Sequence, residues 1–131
     1  MAKEKTVKIN VLIVDDHKEF RDMLKTLINL QADMEVVGEA EDGQKAVAIT
    51  RELLPDVIIM DVKMPVMDGV EATRRILTEM TWMKILAHSM YSSDGFLYGM
   101  MEAGAVGYIL KGNDFEELAG AIRKASSSGN Q

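Results

Sequence analysis

The sequence predicts a single α/β domain in which a doubly wound parallel sheet of five strands is flanked by five helices. Two observations lead to this fold class. Short apolar runs recur along the 131-residue chain, and segments with the apolar spacing of an amphipathic helix lie between them. Runs too short for helices and without strict alternation are typical of strands covered on both faces. Strand followed by helix, five times over, favours a parallel sheet with helices on both sides.

Five apolar runs are the predicted strands. They lie at residues 11–14, 36–37, 57–60, 85–87 and 108–110. The clearest helical stripe follows the first run and consists of Phe20, Met23, Leu24, Leu27 and Ile28. Its members fall at i, i+3, i+4, i+7 and i+8, which is one face of an α-helix.

Helix-start and helix-stop signals agree with this pattern. Similar stripes occupy residues 96–104, less regularly, and 115–122. Asp68 with Glu71 three residues later resembles a capping box, as does Asn113 with Glu116. Gly104 follows a helical stripe, where a left-handed residue commonly ends a helix. These signals predict helices that begin near residues 69 and 114 and one that ends near residue 104.

The composition indicates one soluble, cytoplasmic domain. The chain is 47% hydrophobic, with a net charge of −6 and no cysteine. An acidic chain lacks the basic face that tracks nucleic-acid phosphates, so we expect no DNA binding by these residues. No apolar stretch approaches the ~20 residues that span a bilayer, and no secretory signal is evident. We expect the domain to cover residues 1–125, followed at 126–131 by a polar tail or the start of a linker, with no output domain.

Polar residues follow four of the predicted strands. Asp15 and Asp16 come after the first run, Asp61 after the third, Ser89 after the fourth and Lys111 after the fifth. The carboxyl ends of parallel strands share one edge of a sheet, and ligands bind at that edge. Each feature alone has an ordinary structural explanation, such as a helix cap for the paired aspartates. Their joint placement favours a functional site.

The residue types indicate phosphoryl chemistry. Three neighbouring carboxylates repel one another and require a cation. A site with oxygen ligands and no cysteine selects a hard ion such as Mg²⁺. Lys111 and Ser89 are suited to bind phosphoryl oxygens by charge and by hydrogen bonding. The predicted reaction is transfer of a phosphoryl group to a carboxylate.

Four segments carry a resemblance to a known family. They read LIVDDH, DVIIMDVKMPVMDGVEA, ILAHSMY and EAGAVGYILKG. In order and spacing they resemble the receiver domain of bacterial two-component response regulators, which has a CheY-like, flavodoxin-like fold. The similarity is strongest to the NarL/FixJ branch, whose members usually carry a C-terminal LuxR-type helix-turn-helix. The resemblance spans residues 8–125.

The resemblance implies a role for each acidic residue. Asp61 would be the phosphoacceptor and would attack a phosphohistidine on a sensor histidine kinase. Asp16 and Asp61 would bind Mg²⁺ directly, Asp15 would contribute mostly through water, and Lys63 would supply its backbone carbonyl. The protein would then be a signalling module for transcription regulation rather than an enzyme with an external substrate.

The resemblance also implies a switch. Ser89 would move toward the acyl phosphate, Lys111 would pair with it, and Tyr108 would be the aromatic residue that turns inward behind Ser89. The output would be a changed surface over residues 94–125, a candidate face for a homodimer. DNA would be bound by a C-terminal output domain of the full protein.

Three alternatives stay open at this point. One is a stand-alone response regulator or phosphorelay intermediate. Another is a Mg²⁺-dependent aspartyl-phosphate phosphatase or phosphotransferase, although Lys63 stands where enzymes of the haloacid dehalogenase type have a second aspartate. A flavin-binding domain is disfavoured because Asp15 and Asp16 would repel the flavin phosphate.

Three further positions depart from the usual receiver pattern or call for interpretation. Lys111 precedes Gly112 where many receivers have proline, which leaves the isomer of that peptide bond open. His88 is interpreted as a packed or edge histidine. His17 is interpreted as a surface residue.

Overall fold

The computed structural model describes residues 7–92 and 94–127. Within these residues the chain forms five strands and five helices in strict alternation. The strands are β1 (Ile9–Val14), β2 (Met34–Ala40), β3 (Val57–Met60), β4 (Lys84–Ser89) and β5 (Gly107–Leu110). The helices are α1 (Lys18–Asn29), α2 (Gly43–Leu53), α3 (Gly69–Glu79), α4 (Asp94–Ala103) and α5 (Phe115–Ser127).

The strands form one sheet in the order β2-β1-β3-β4-β5, and every neighbouring pair is parallel. The predicted fold class is therefore confirmed. The strand order reverses between β1 and β3, and in open parallel sheets the crevice at such a reversal binds ligands. The carboxyl ends of both strands meet at this crevice.

Helices cover both faces of the sheet, which explains the continuous apolar runs. Along β1, Leu12 and Val14 pack in a core with α2, α3 and α4. Val11 and Ile13 point to the other face and pack in a second core with α1 and α5. Alternate side chains of a strand are therefore buried on opposite sides, and neither side can be polar.

The helix signals are confirmed in part. Asp68 Oδ1 accepts a hydrogen bond of 2.9 Å from the Glu71 N–H, so Asp68 caps α3 as predicted. The capping box of Asn113 and Glu116 is wrong, because α5 begins at Phe115 and is therefore preceded by Asp114, while the Asn113 amide donates to Glu117 Oε1 at 2.9 Å. Gly104 has a φ of +114° just after α4, as expected for a helix stop.

Several bounds differ from the predictions. Strand β2 covers seven residues, whereas the sequence indicated the two at 36–37. Helix α5 continues through Ser127, two residues into the segment predicted to be a tail, and residues 128–131 lie outside the described part.

Each peptide bond of the described residues is trans, including the one between Lys111 and Gly112. No helix in this part of the chain is long and apolar enough to cross a membrane.

Candidate functional site

The site lies where β1, β3 and β5 end. Asp15 follows β1, Asp61 follows β3, and Lys111 follows β5. The Lys111 Nζ lies 2.7 Å from Asp15 Oδ2 and 3.4 Å from Asp61 Oδ1. The fold therefore brings together three groups that are up to 96 positions apart in sequence, as the pattern of strand ends predicts.

Asp15 and Lys111 form a buried ion pair. Their side chains are only 3% and 9% exposed. The second oxygen of Asp15, Oδ1, accepts a hydrogen bond of 2.9 Å from the His17 N–H at the start of α1. Both oxygens of Asp15 are therefore engaged. Removing either partner would leave a buried charge uncompensated, which is strongly destabilising.

Asp61 is held by the backbone on both sides. Its N–H donates to the Val14 carbonyl oxygen at 2.9 Å, which aligns the end of β3 with that of β1. Its Oδ1 accepts a hydrogen bond of 2.9 Å from the Val62 N–H. The loop that follows closes tightly, because a Cβ at Gly69 would overlap the Asp61 carbonyl oxygen. Glycine at position 69 thus permits the close approach of α3 to the backbone at the end of β3.

Burial and the charge of Asp15 together raise the pKa of Asp61 to about 6, while Lys111 opposes the rise. Burial is the larger cause, since it disfavours the charged form of a carboxyl group. Near neutral pH this carboxylate is therefore close to the point where it takes up a proton. A cation placed next to it would favour the ionised form.

The acidic cluster fits a divalent cation. Ligand atoms of Asp15, Asp16, His17 and Asp61 all lie within 4.8 Å of one another. Asp16 Oδ1 is buried, yet the described residues donate no hydrogen bond to it. A buried carboxylate oxygen without a donor is costly unless a cation or water satisfies it. The donor set is dominated by carboxylate oxygens, which suits a hard ion.

The sequence predicts that His17 is a surface residue, and its side chain is 68% exposed. Its Nδ1 nevertheless lies 3.3 Å from Asp15 Oδ1 and 3.2 Å from Asp16 Oδ1. Sequence reasoning missed this contact with the acidic cluster. The adjacency of the three residues in sequence was the available signal.

Ser89 and Tyr108 are joined through a residue that sequence reasoning did not single out. Ser89 is fully buried, and its Oγ accepts a hydrogen bond of 2.9 Å from the Tyr91 N–H. The Tyr108 hydroxyl donates to the Tyr91 carbonyl oxygen at 2.7 Å. The Tyr91 ring packs against Phe96 of α4, and the Lys63 ammonium lies 5.4 Å from its centroid. Tyr91 therefore connects β4, β5 and α4.

The sequence predicts that His88 is either packed in the interior or at an edge of the sheet, and the structure shows that it is packed. It is 5% exposed, and its ring lies 5.6 Å from that of Phe20. Burial, aided by the charge of Lys111, lowers the pKa of His88 to about 4. The imidazole is therefore neutral at physiological pH.

Comparison with known proteins agrees with this geometry. Residues 11–123 match the response regulator receiver domain family, and the chain belongs to this family. The transcriptional regulatory protein LiaR of Bacillus subtilis is 45% identical over 118 residues, which are 90% of this chain and 56% of LiaR. The response regulator protein VraR of Staphylococcus aureus is 42% identical over 118 residues, which are 90% of this chain and 56% of VraR. The chain spans about half the length of these curated relatives.

Solved structures give the same result. A LuxR-family two-component response regulator from Aurantimonas is 34% identical with a TM-score of 0.89, covering 94% of this chain and 88% of that chain. The receiver domain of a putative response regulator NarL from Mycobacterium tuberculosis is 30% identical with a TM-score of 0.89, covering 93% and 98%. The chain is a receiver domain of the LuxR/NarL type. Receiver domains bind Mg²⁺ at an acidic pocket, and here the acidic cluster occupies that place.

Proposed function

We propose that this domain is a phosphorylation-dependent switch whose phosphoacceptor is Asp61 and whose phosphodonor is a phosphohistidine of a sensor histidine kinase in the cytoplasm. The observation that carries the proposal is the placement of one buried ammonium against two carboxylates, 2.7 Å from Asp15 and 3.4 Å from Asp61. The membership in the receiver family supports the same reaction.

Asp61 is favoured over Asp15 as the phosphoacceptor because one of its carboxylate oxygens accepts no hydrogen bond from the described residues. Both oxygens of Asp15 are engaged, by Lys111 and by the His17 N–H. No hydrogen bond from the described residues reaches Asp61 Oδ2, while Oδ1 is fixed by the Val62 N–H. One oxygen of Asp61 is therefore oriented and the other is available to attack phosphorus. Asp16 lies closer to solvent than Asp61 does, since its side chain is 26% exposed and that of Asp61 is 8% exposed.

In the proposed step, a carboxylate oxygen of Asp61 forms a bond to phosphorus while the bond from phosphorus to the imidazole nitrogen breaks. The imidazole leaves and takes up a proton from solvent. In this proposal, Lys111 stabilises the negative charge on the phosphoryl oxygens, and the Ser89 hydroxyl donates a hydrogen bond to one of them. The chain modifies itself and turns over no external substrate.

The metal ligands of the proposal are Asp15, Asp16, Asp61 and the backbone carbonyl of Lys63. When bound, Mg²⁺ supplies positive charge that neutralises the phosphoryl oxygens and favours the ionised form of Asp61. The buried Asp16 Oδ1 supports this assignment, because no hydrogen bond from the described residues satisfies it, although His17 Nδ1 lies 3.2 Å away. Asp15, already held by Lys111, is best suited to reach the ion through water.

We also propose that the full protein is a transcription regulator. The matched region covers only 56% of LiaR, which is described as a transcriptional regulatory protein. The net charge of −6 supports placing the DNA contact in a LuxR-type output domain beyond these residues. Residues 94–125 would carry the signal and form the homodimer face. That face exposes apolar side chains, including Leu97, Tyr98, Met101 and Val106.

The test is phosphorylation by a small phosphodonor with Mg²⁺, followed by intact mass. The wild type should gain one phosphoryl group and Asp61→Asn should gain none. Asp22→Asn is the matched control, because Asp22 is an exposed carboxylate on α1 that forms an ion pair with Lys18 and lies outside the acidic cluster. A phosphoryl group on Asp61→Asn, or one that maps to His17 or His88, would contradict the proposal.

A further inference from the structure

Lys111 has a third neighbour besides its two carboxylates. Its ammonium lies 4.6 Å from the centroid of the Phe20 ring on α1. A cation within about 6 Å of an aromatic centroid is attracted by the negative face of the ring, and the attraction is largest when water is excluded. The Lys111 side chain is only 9% exposed, so this contact is a largely desolvated one.

The Phe20 ring is itself fixed in place. It belongs to the first turn of α1 and packs against the core of α1 and α5. The His88 ring lies 5.6 Å from it at an interplanar angle of 34°. Because burial keeps His88 neutral, the imidazole adds no positive charge that would repel the Lys111 ammonium.

We propose that Phe20 is a positioning residue for phosphorylation, whose ring holds the Lys111 ammonium between Asp15 and Asp61. A lysine side chain has four rotatable bonds and three donors on a rotating ammonium, so two carboxylates alone do not define its direction. The ring closes a further side of the ammonium without competing for a hydrogen bond. A donor is thereby left to meet a phosphoryl oxygen. This inference rests on the proposed phosphorylation of Asp61.

The first experiment compares substitutions that keep or remove the ring. Phe20→Leu retains apolar volume and loses the aromatic face, and we expect its phosphorylation rate to fall about tenfold, the order of a desolvated cation–π contact. Phe20→Tyr should remain within about twofold of the wild type. Phe115→Leu is the matched control. Phe20, Phe115 and Lys111 line one cavity, but among the described residues the ring that lies over the Lys111 ammonium is that of Phe20.

The second experiment keeps the shape of the ring and changes its electrostatics. Pentafluorophenylalanine at position 20 reverses the quadrupole, so the phosphorylation rate should fall as with Phe20→Leu although packing is retained. This substitution also covers the case in which Phe20→Leu does not fold. A wild-type rate with the fluorinated ring would overturn the inference, as would an equal loss in Phe115→Leu.

A readout independent of phosphorylation separates this inference from the proposed function. The ε-methylene signals of Lys111, assigned by their loss in Lys111→Ala, should show a ring-current shift that disappears in Phe20→Leu and persists in Phe20→Tyr. If Asp61→Asn were still phosphorylated, the proposed function would fail while this shift stayed informative. An unchanged shift in Phe20→Leu would overturn the role of Phe20 alone.

Discussion

The Tyr108 hydroxyl donates a hydrogen bond of 2.7 Å to the carbonyl oxygen of Tyr91. The N–H of the same Tyr91 donates to Ser89 Oγ at 2.9 Å. A serine hydroxyl both accepts and donates, so a phosphoryl oxygen would be a second partner for Ser89. Movement of Ser89 toward that oxygen would displace Tyr91 and, through it, alter the contact made by Tyr108.

This relationship predicts the effect of Tyr108→Phe, which deletes the hydroxyl and keeps the ring. Phosphorylation of Asp61 should be retained, because the hydrogen bond that the Tyr108 hydroxyl makes goes to the Tyr91 carbonyl oxygen and not to the acidic cluster. The response of amides in α4, β5 and α5 to beryllofluoride, a phosphoryl mimic, should weaken in Tyr108→Phe and weaken further in Tyr108→Ala. Amide chemical shifts provide the measurement.

Tyr98→Phe is the control for that series, since its hydroxyl bonds to the exposed Glu102 on the same helix at 3.2 Å. Its response to beryllofluoride should match the wild type. An unaltered distant response in Tyr108→Ala, or a response confined to the loops around Asp61, would show that the Ser89–Tyr108 connection carries no signal.

Asp16→Ala should abolish magnesium binding. The substitution removes the carboxylate whose buried Oδ1 receives no hydrogen bond from the described residues. In a magnesium titration, amide shifts near Asp15, Asp16 and Asp61 should occur in the wild type and vanish in the variant. Asp22→Ala, on the exposed side of α1, should titrate like the wild type. Saturable shifts at the site in Asp16→Ala would rule out its role as a ligand.

Stability as a function of pH should reflect two groups that act in opposite directions. The folded pKa of Asp61 is about 6 against an ordinary value of 3.8. Between these values the folded state binds more protons, so Asp61 increases the free energy of unfolding as pH falls. The folded pKa of His88 is about 4 against an ordinary 6.5. Here the unfolded state binds more protons, so His88 decreases the free energy of unfolding as pH falls.

Asp61→Asn should separate the two effects. Without metal, the variant should unfold at a higher temperature than the wild type above about pH 6.5, because a buried charge has been replaced by a neutral amide of the same shape. This advantage should shrink as pH approaches 4, where the wild-type carboxyl is protonated. Thermal unfolding at several pH values is the measurement. A constant difference across the range would mean that Asp61 does not titrate in this window.

Gly69→Ala should reduce both stability and phosphorylation. The added Cβ would overlap the Asp61 carbonyl oxygen, so the loop after β3 must shift. Overpacking of this kind typically costs about 1–3 kcal/mol. Gly120→Ala is the control, because nothing lies within 4 Å of its Cβ position, and removing a helical glycine stabilises by about 0.5–1 kcal/mol. In urea unfolding, the free energy of unfolding should decrease for Gly69→Ala and increase for Gly120→Ala relative to the wild type. A change of the same sign in both variants would contradict the steric explanation.

The sequence predicts the fold well where burial is two-sided. The run at 57–60 is apolar at each position because β3 is central and covered on both faces. The edge strand β2 was largely missed, since Glu35 and Glu39 interrupt its apolar residues. The structure explains this pattern, because Glu39 pairs with Arg21 and Lys25 of α1.

The candidate site is predictable to the extent that strand ends define it. Asp15, Asp61 and Lys111 meet because a parallel sheet places their strand ends together. The contacts of Tyr91 and Phe20 are not predictable in this way. Tyr91 lies in a loop whose path depends on tertiary packing. In the sequence, Phe20 is one member of an apolar helical stripe, and nothing in that pattern indicates a contact with Lys111.

The two hydrogen bonds of Tyr91 are made by main-chain atoms, and this has a consequence for how position 91 tolerates variation. Any residue with an N–H can keep both bonds, whatever its side chain. Surface chemistry at this position is thus free to diverge among related domains without disconnecting Ser89 from Tyr108. Proline is the exception, since it lacks the N–H.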